Sequence, residues 1–228
     1  NMLLYVLRDK HNGKILTWNI NELTYVSEMT TTIGLFMLTI GTFLGGVWAN
    51  ESWGRYWGWD PKETWALVSV LVYAVLLHLR FIPALKGKFL FNAVSFWSYA
   101  AILFTFFGVN FYLVGLHSYA QGDGLGEFPF GVVVAVVAFY VFTEIAALQS
   151  KRYSTDKSQL SLGYFLKKAI ITTVVFGVIY FLFVVLHVIE LSVCLDISWK
   201  TAAIVVVTNL LLFAYQSIRP NEPVKLID

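Results

Sequence analysis

The sequence predicts an all-α membrane protein: a polytopic transmembrane helix bundle of about six full spans plus the end of a truncated one. Three observations carry this. Hydrophobic residues make up 58% of the 228-residue chain and charged ones only 13%, about half the charge usual in soluble domains. Mean hydropathy is +0.69, more apolar surface than a soluble fold of this size hides, so lipid must cover the remainder. Five apolar runs are long enough to cross a hydrocarbon core and a sixth, shorter one is adequate, and none alternates as the strands of a lipid-facing barrel do.

Taken in order, Met2–Leu7 is a short apolar run ending at Arg8. It reads as the inner end of a helix whose outer part is missing, and hence as a piece of a longer protein. No signal peptide is expected, because the basic cluster follows the apolar run instead of preceding it. Residues 8–30 are expected to form a cytoplasmic loop. The spans then fall at about 31–50, 64–81, 90–115, 128–149, 169–190 and 199–217. With the loop between the first two spans outside, the inner segments hold thirteen of the sixteen Lys and Arg residues. Only Arg55, Lys62 and Lys200 remain outside, as the positive-inside rule requires. Gly41 and Gly45 form a small-xxx-small pair that permits close helix contact. The division that follows is 1–30, the truncated helix end and cytoplasmic loop; 31–127, a three-helix core with its outer loops; 128–149, a fourth core helix; and 150–228, a two-helix extension to which the sequence assigns no role.

The single cysteine, Cys194, excludes an internal disulfide framework, a Cys-x-x-Cys redox pair and a thiolate metal cluster. The net charge of +2 says nothing about nucleic acid, and no nucleic-acid partner is expected.

Five of the eight tryptophans fall within one short stretch: Trp48, Trp53, Trp57, Trp59 and Trp65. An interfacial aromatic belt is the plain reading, but a belt is spread over both interfaces. The other reading is a platform for a large flat apolar ligand, since indole faces bury much area and stack on conjugated rings. Arg55 and Lys62 would then neutralise carboxylates at the ligand edge. A porphyrin with two propionates fits; so, less specifically, do a quinone or a lipid headgroup. Asp60-Pro-Lys-Glu63 has a local explanation as a helix start, with Asp60 as N-cap, Pro61 at the first position and Glu63 reaching back in a capping box.

Histidines supply the candidate metal ligands. His78 lies 13 residues after Trp65 on the same helix, about 20 Å along the axis and deep in the membrane, where an ionisable group is suspect. A neutral His bonded to a neighbouring helix, or one snorkelling inwards beside Arg80, is the alternative. His117 ends the third span at the level of the tryptophans, and neutral imidazole is a common axial ligand of haem iron. His187 and Glu190 are expected to pair locally. His11 reads as a solvated loop residue, and Glu144 as reaching the nearby interface.

The stretch from Val47 to Leu67, with Trp57-Gly-Trp-Asp-Pro-Lys-Glu-Thr-Trp65 at its heart, resembles the WWD signature of haem-handling membrane proteins. Together with Leu77-His-Leu-Arg80 and Gly115-Leu-His-Ser-Tyr119 it is similar to the CcsA/ResC family of cytochrome c synthetase components. The resemblance runs from about residue 31 to 124. It implies haem b as the transported substrate, entering at a transmembrane site at His78 and presented outside by His117 with Trp53, Trp57, Trp59, Trp65, Arg55 and Asp60. Both histidines would meet the haem iron. It implies further an apocytochrome c with a Cys-x-x-Cys-His site, a CcsB/ResB-type membrane partner, separate or fused, and thiol-reducing proteins. The family's second external histidine precedes the loop, and no histidine lies between His11 and His78. The expected location is the bacterial cytoplasmic membrane with the loop on the outer face, the plastid thylakoid being the alternative. A haem-lyase-type synthase activity is expected. A haem delivery protein, or a non-haem transporter or scaffold with tryptophan anchors, is the competing reading.

Overall fold

A computed structural model describes residues 1–8, 12–83, 85–113, 115, 130–152, 162–185 and 191–218. The regular structure among these residues is helical, with no strand. The chain divides into two compact units, Asn1–Phe128 and Pro129–Asp228.

In the first unit the helices are α1 (Met2–Leu7), α2 (Gly13–Trp53), α3 (Pro61–His78), α4 (Lys88–Leu103) and α5 (Val109–Tyr112). A 3-10 turn, Leu79–Phe81, follows α3, and a π turn, Phe104–Gly108, joins α4 to α5. At 41 residues, α2 is about 60 Å long, twice the thickness of a hydrocarbon core. Residues 13–30, expected as a loop, are therefore its first half. No proline or glycine interrupts residues 14–33, so the helix runs unbroken through Lys14, Glu22 and Glu28. Thr24, Thr30, Thr32, Thr39 and Thr42 each return their hydroxyl to the carbonyl four residues back, at 2.6–2.9 Å. That internal bond removes the cost of carrying a polar group through an apolar helix.

Polar bonds tie this unit together at the end remote from the tryptophans. Arg80 donates to both oxygens of Glu28, at 3.1 and 2.6 Å, and lies over the ring of Phe91. Lys88 Nζ donates to Asn21 at 3.0 Å. The buried Asn92 amide accepts from Asn1, and donates to Thr24 Oγ1 and Lys88 O, so α1, α2 and α4 meet at one side chain. A buried amide with this many partners carries little desolvation penalty and fixes helix register. Glu28 precedes Trp53 by 25 residues of helix, about 37 Å, so the pair and the tryptophans mark the two ends of one span.

The second unit holds α6 (Phe130–Arg152), α7 (Leu162–Val185) and α8 (Leu191–Ile218). Glu144, expected to reach an interface, is instead buried at 4% exposure and paired with Lys168 of α7. One turn away, Tyr140 accepts from Asn209 of α8 at 2.9 Å and packs edge-on against Phe176 of α7. One face of α6 thus carries polar bonds to both other helices. Without a hydrophobic drive between helices in lipid, such bonds and close packing supply the association.

Among the described residues, Gly13–Trp53, Pro61–Phe81, Lys88–Gly108 and Ser198–Tyr215 are long and apolar enough to cross a membrane, and Val134–Ser150 is a shorter apolar helix. The chain is an all-α, multi-pass membrane protein.

Candidate functional site

The tryptophan end is built by the termination of one helix and the start of the next. α2 stops at Trp53 because Gly54 takes φ +70°, with its N–H closing on Asn50 O at 2.8 Å. This left-handed C-cap is nearly free of cost for glycine and not for other residues. The chain then folds back. A Cβ on Gly46 would lie 3.1 Å from the Tyr56 carbonyl, so the loop rests on the helix it has just left.

Trp48 and Trp53 meet edge to face at 5.1 Å, and Trp57 and Trp59 do so at 5.8 Å with planes at 88°. Trp59 adopts φ +57°, alone among the described non-glycine residues, and is 70% exposed. For a bulky side chain that backbone is an outlier, which persists only when the surroundings impose it. The Trp57 indole nitrogen is buried without an acceptor among the described residues.

The surroundings of Trp59 are the start of α3. Glu63 Oε2 accepts from Gly58 N at 2.7 Å and from Asp60 N at 3.2 Å, on either side of Trp59. Asp60 accepts from the N–H of Lys62 at 3.3 Å and completes a capping box with Glu63, with Pro61 at the first helical position. Thr64 Oγ1 reaches Trp59 O at 3.4 Å. The local account of Asp60, Pro61 and Glu63 as a helix start therefore holds in the geometry. Arg55 Nη1 lies 3.4 Å from Glu63 Oε1 and its guanidinium is 5.9 Å from the Trp53 ring. It covers Gly58 so closely that a Cβ there would overlap it.

The third span supports this end from beneath. The π turn turns Phe104 onto Trp65, with ring centroids 4.3 Å apart, and places Thr105 Oγ1 on Trp65 O at 3.1 Å and beside Ser69 Oγ at 3.0 Å. Trp65 is 5% exposed, so it is an anchor of the α3–α4 contact, apart from the exposed Trp59. Lys62 Nζ donates to Asn110 of α5 at 3.0 Å. Beyond α5, Gly115 presses on the helix start: a Cβ there would overlap Asp60 Oδ1 and lie 2.9 Å from Pro61 Cδ. His117, two residues on, is outside the described residues, as are His11, His187 and Glu190.

His78 is the last residue of α3, 17 residues from Pro61 and so about 25 Å along the axis. It is exposed on its helix. Its Nδ1 lies 2.7 Å from Ala74 O, and its ring is 5.7 Å from Phe81. A carbonyl only accepts, so Nδ1 carries a hydrogen, and in the neutral ring the lone pair is then on Nε2. Such a ring can offer Nε2 to a metal while its orientation is held by the Nδ1 bond. An apolar groove of about 310 Å³ runs between α3 and α4, lined by Val68, Leu71, Val72, Val75, Val94 and Ser98.

The structure thus gathers Trp53, Arg55, Trp57, Trp59 and Asp60 at one end and sets His78 at the other. Sequence reasoning missed the double grip of Glu63, the Lys62–Asn110 bond and the seat of Gly115. Only the first left a signal, in the capping-box spacing. Among the described residues no cluster of His, Cys, Asp and Glu could hold a metal ion by itself.

The sequence model of a family described as "Cytochrome C assembly protein" matches residues 2–117, half of the chain. Protein NrfI of Wolinella succinogenes is 53% identical over 124 residues, which is 54% of this chain and 14% of that protein. A cytochrome c biogenesis protein CcsA from Spinacia oleracea is 44% identical over 104 residues, 45% of this chain and 31% of that protein. Another CcsA, from Prochlorococcus marinus, is 47% identical over 98 residues, 43% of this chain and 31% of that protein. The chain spans a third or less of the length of these relatives.

Proposed function

The chain belongs to the cytochrome C assembly protein family, and from that premise we propose that it presents haem b at its tryptophan end for covalent attachment to an apocytochrome c. The observation that carries the reading is Trp59, an exposed indole held on a left-handed backbone. An aromatic belt needs no such strain, because any helix-end tryptophan reaches the headgroup region from ordinary backbone. Two indoles set at right angles offer one face and one edge to a flat conjugated ring. The buried Trp57 N–H lacks an acceptor among the described residues, and Arg55 lies over Gly58, the next residue. An N–H and a guanidinium are the donors that propionates take up. These residues fit the substrate.

In this proposal the tryptophans cover the ring, and Arg55, released from Glu63, meets a propionate. His117 supplies one axial imidazole. It follows Gly115, which rests against Asp60, by two residues, a reach of at most about 7 Å. His78, with Nε2 available to a metal, is proposed as the transmembrane haem ligand on the way to the outer site. Attachment is the addition of each Cys thiol of a Cys-x-x-Cys-His segment across a haem vinyl group, with a C–S bond formed and the thiol hydrogen delivered to the neighbouring carbon. The chain contributes by holding the partners together, an effective-concentration effect. We further propose a bacterial cytoplasmic membrane location with the tryptophan end outside, a CcsB/ResB-type membrane partner and reductants that keep the apocytochrome thiols reduced.

The test is the full-length protein purified from haem-replete cells. The proposal expects a six-coordinate bis-histidine Soret spectrum that is lost in His117→Ala. Protein that carries no haem under any growth condition would overturn it.

A further inference from the structure

We infer that Glu63 is a positioning residue whose single carboxylate imposes the left-handed backbone at Trp59 and couples that indole to Arg55. This rests on the haem reading proposed above, and it goes beyond the helix-capping role that the sequence suggests for Glu63.

In a capping box the residue at the third helical position accepts from the N-cap N–H, here Asp60 N. Glu63 Oε2 does so at 3.2 Å, but its shorter bond, 2.7 Å, is to Gly58 N, which lies outside the helix and has no place in a cap. The two donors flank Trp59, so one oxygen draws together the backbone on both sides of it. Thr64 Oγ1 reaches the intervening carbonyl. A chain pinched in this way has its middle residue turned outwards, which accounts for the positive φ of Trp59 and for its exposure. Gly58 contributes by having no side chain, since Arg55 lies across the space a Cβ would fill. From there Arg55 Nη1 faces the other oxygen, Glu63 Oε1, at 3.4 Å. That distance is long for a charged pair, and Arg55 is still 30% exposed. A ligand carboxylate thus competes with Glu63 for a loosely held guanidinium, and the same Glu63 sets the tryptophan on which the ligand ring rests. Anion capture and indole placement are joined through one side chain.

The test uses full-length protein purified with haem and carrying Glu63→Ala or Glu63→Gln, each in the native and in the Trp59→Phe background. Readouts are haem content per protein, Soret position and haem midpoint potential. Gln retains an oxygen able to accept from both N–H groups, whereas Ala retains none. The inference expects Glu63→Ala to lower haem content at least fivefold and shift the potential, with Glu63→Gln within twofold of native. In the Trp59→Phe background Glu63→Ala should add less than a twofold further loss. Should Glu63→Ala not accumulate in membranes, Glu63→Asp replaces it, keeping the charge but too short to reach both N–H groups, with the same losses expected. Equal effects of Glu63→Ala in both backgrounds, or a Gln variant no better than Ala or Asp, would overturn the inference. Native protein without haem defeats the underlying reading instead. Native protein with haem, beside Glu63 variants indistinguishable from it, defeats this inference alone.

Discussion

Asp60 lies in the stretch that resembles a haem-handling signature and also caps a helix, and two substitutions separate these roles. Its carboxylate is 8% exposed and accepts from the N–H of Lys62 and of Glu63 at the start of α3. Removing a side-chain N-cap costs about 1 kcal/mol, within a range of roughly 0.5–2. Here the vacated N–H groups sit in a nearly closed position under Gly115, so water replaces the lost acceptor poorly. Asp60→Ala should therefore destabilise the first unit by about 1–2 kcal/mol, towards the upper part of the range. Asp60→Asn retains an oxygen, and Asn caps as well as Asp does. It loses only the charge at the helix N-terminus, worth roughly 0.3–1 kcal/mol. The assay is unfolding in mixed micelles with increasing SDS, with haem content measured on the same samples. Stability and haem content should fall together and in the order native, Asn, Ala. If Asp60→Asn lost as much haem as Asp60→Ala while keeping native stability, the carboxylate charge would be acting on the ligand, and the capping account would be refuted.

Other expectations follow from the same geometry. Gly115→Ala puts a methyl group into Asp60 Oδ1; overpacking of about 1–3 kcal/mol should move the chain leading to His117 and weaken the bis-histidine spectrum, and an unchanged spectrum would contradict the contact. A double-mutant cycle of Glu28→Gln and Arg80→Gln should give a coupling of about 1 kcal/mol or more, because both bonds are charge-assisted and both side chains mostly covered; a coupling near zero would show the pair to be incidental. In the second unit, Lys168→Met leaves Glu144 buried without its partner, a loss of roughly 3–5 kcal/mol in SDS unfolding that Glu144→Leu in the same chain should largely recover. A double variant as unstable as the single one would remove the pair from the account of that unit.

The all-α, multi-pass character was legible because lipid imposes a length and a composition that any window of sequence reveals. The helix start at Asp60 was legible for a related reason: capping is chemistry among neighbours, and Asp-Pro-Lys-Glu contains all its parts. Residues 13–30 misled because Lys14, Glu22 and Glu28 look like loop charges. Glu28 is matched by Arg80, and Asn21 by Lys88, from helices more than fifty residues away. The unbroken run without glycine or proline was the available sign that α2 continues. Trp59 and Trp65 could not be told apart by type. One is turned outwards by a carboxylate four residues ahead, and the other is buried by Phe104, which only the π turn brings into place. Glu144 was read towards the interface because its partner Lys168 lies across a helix pair, where one sequence shows no pairing. Lys62–Asn110 and Gly115–Asp60 are of the same long-range kind, and they are the contacts that carry the third span to the site.

One measurement bears most directly on the central claim. The full-length protein is co-expressed with a reduced apocytochrome c bearing Cys-x-x-Cys-His, and haem that survives denaturing electrophoresis on the cytochrome is quantified. Covalently attached haem is expected with the native chain. It should be abolished by His117→Ala and cut at least several-fold by Trp59→Ala with the protein still present in the membrane. Haem bound to the native chain but never attached would contradict the claim and leave a carrier in its place, and attachment indifferent to Trp59 would remove the tryptophan end from the reaction.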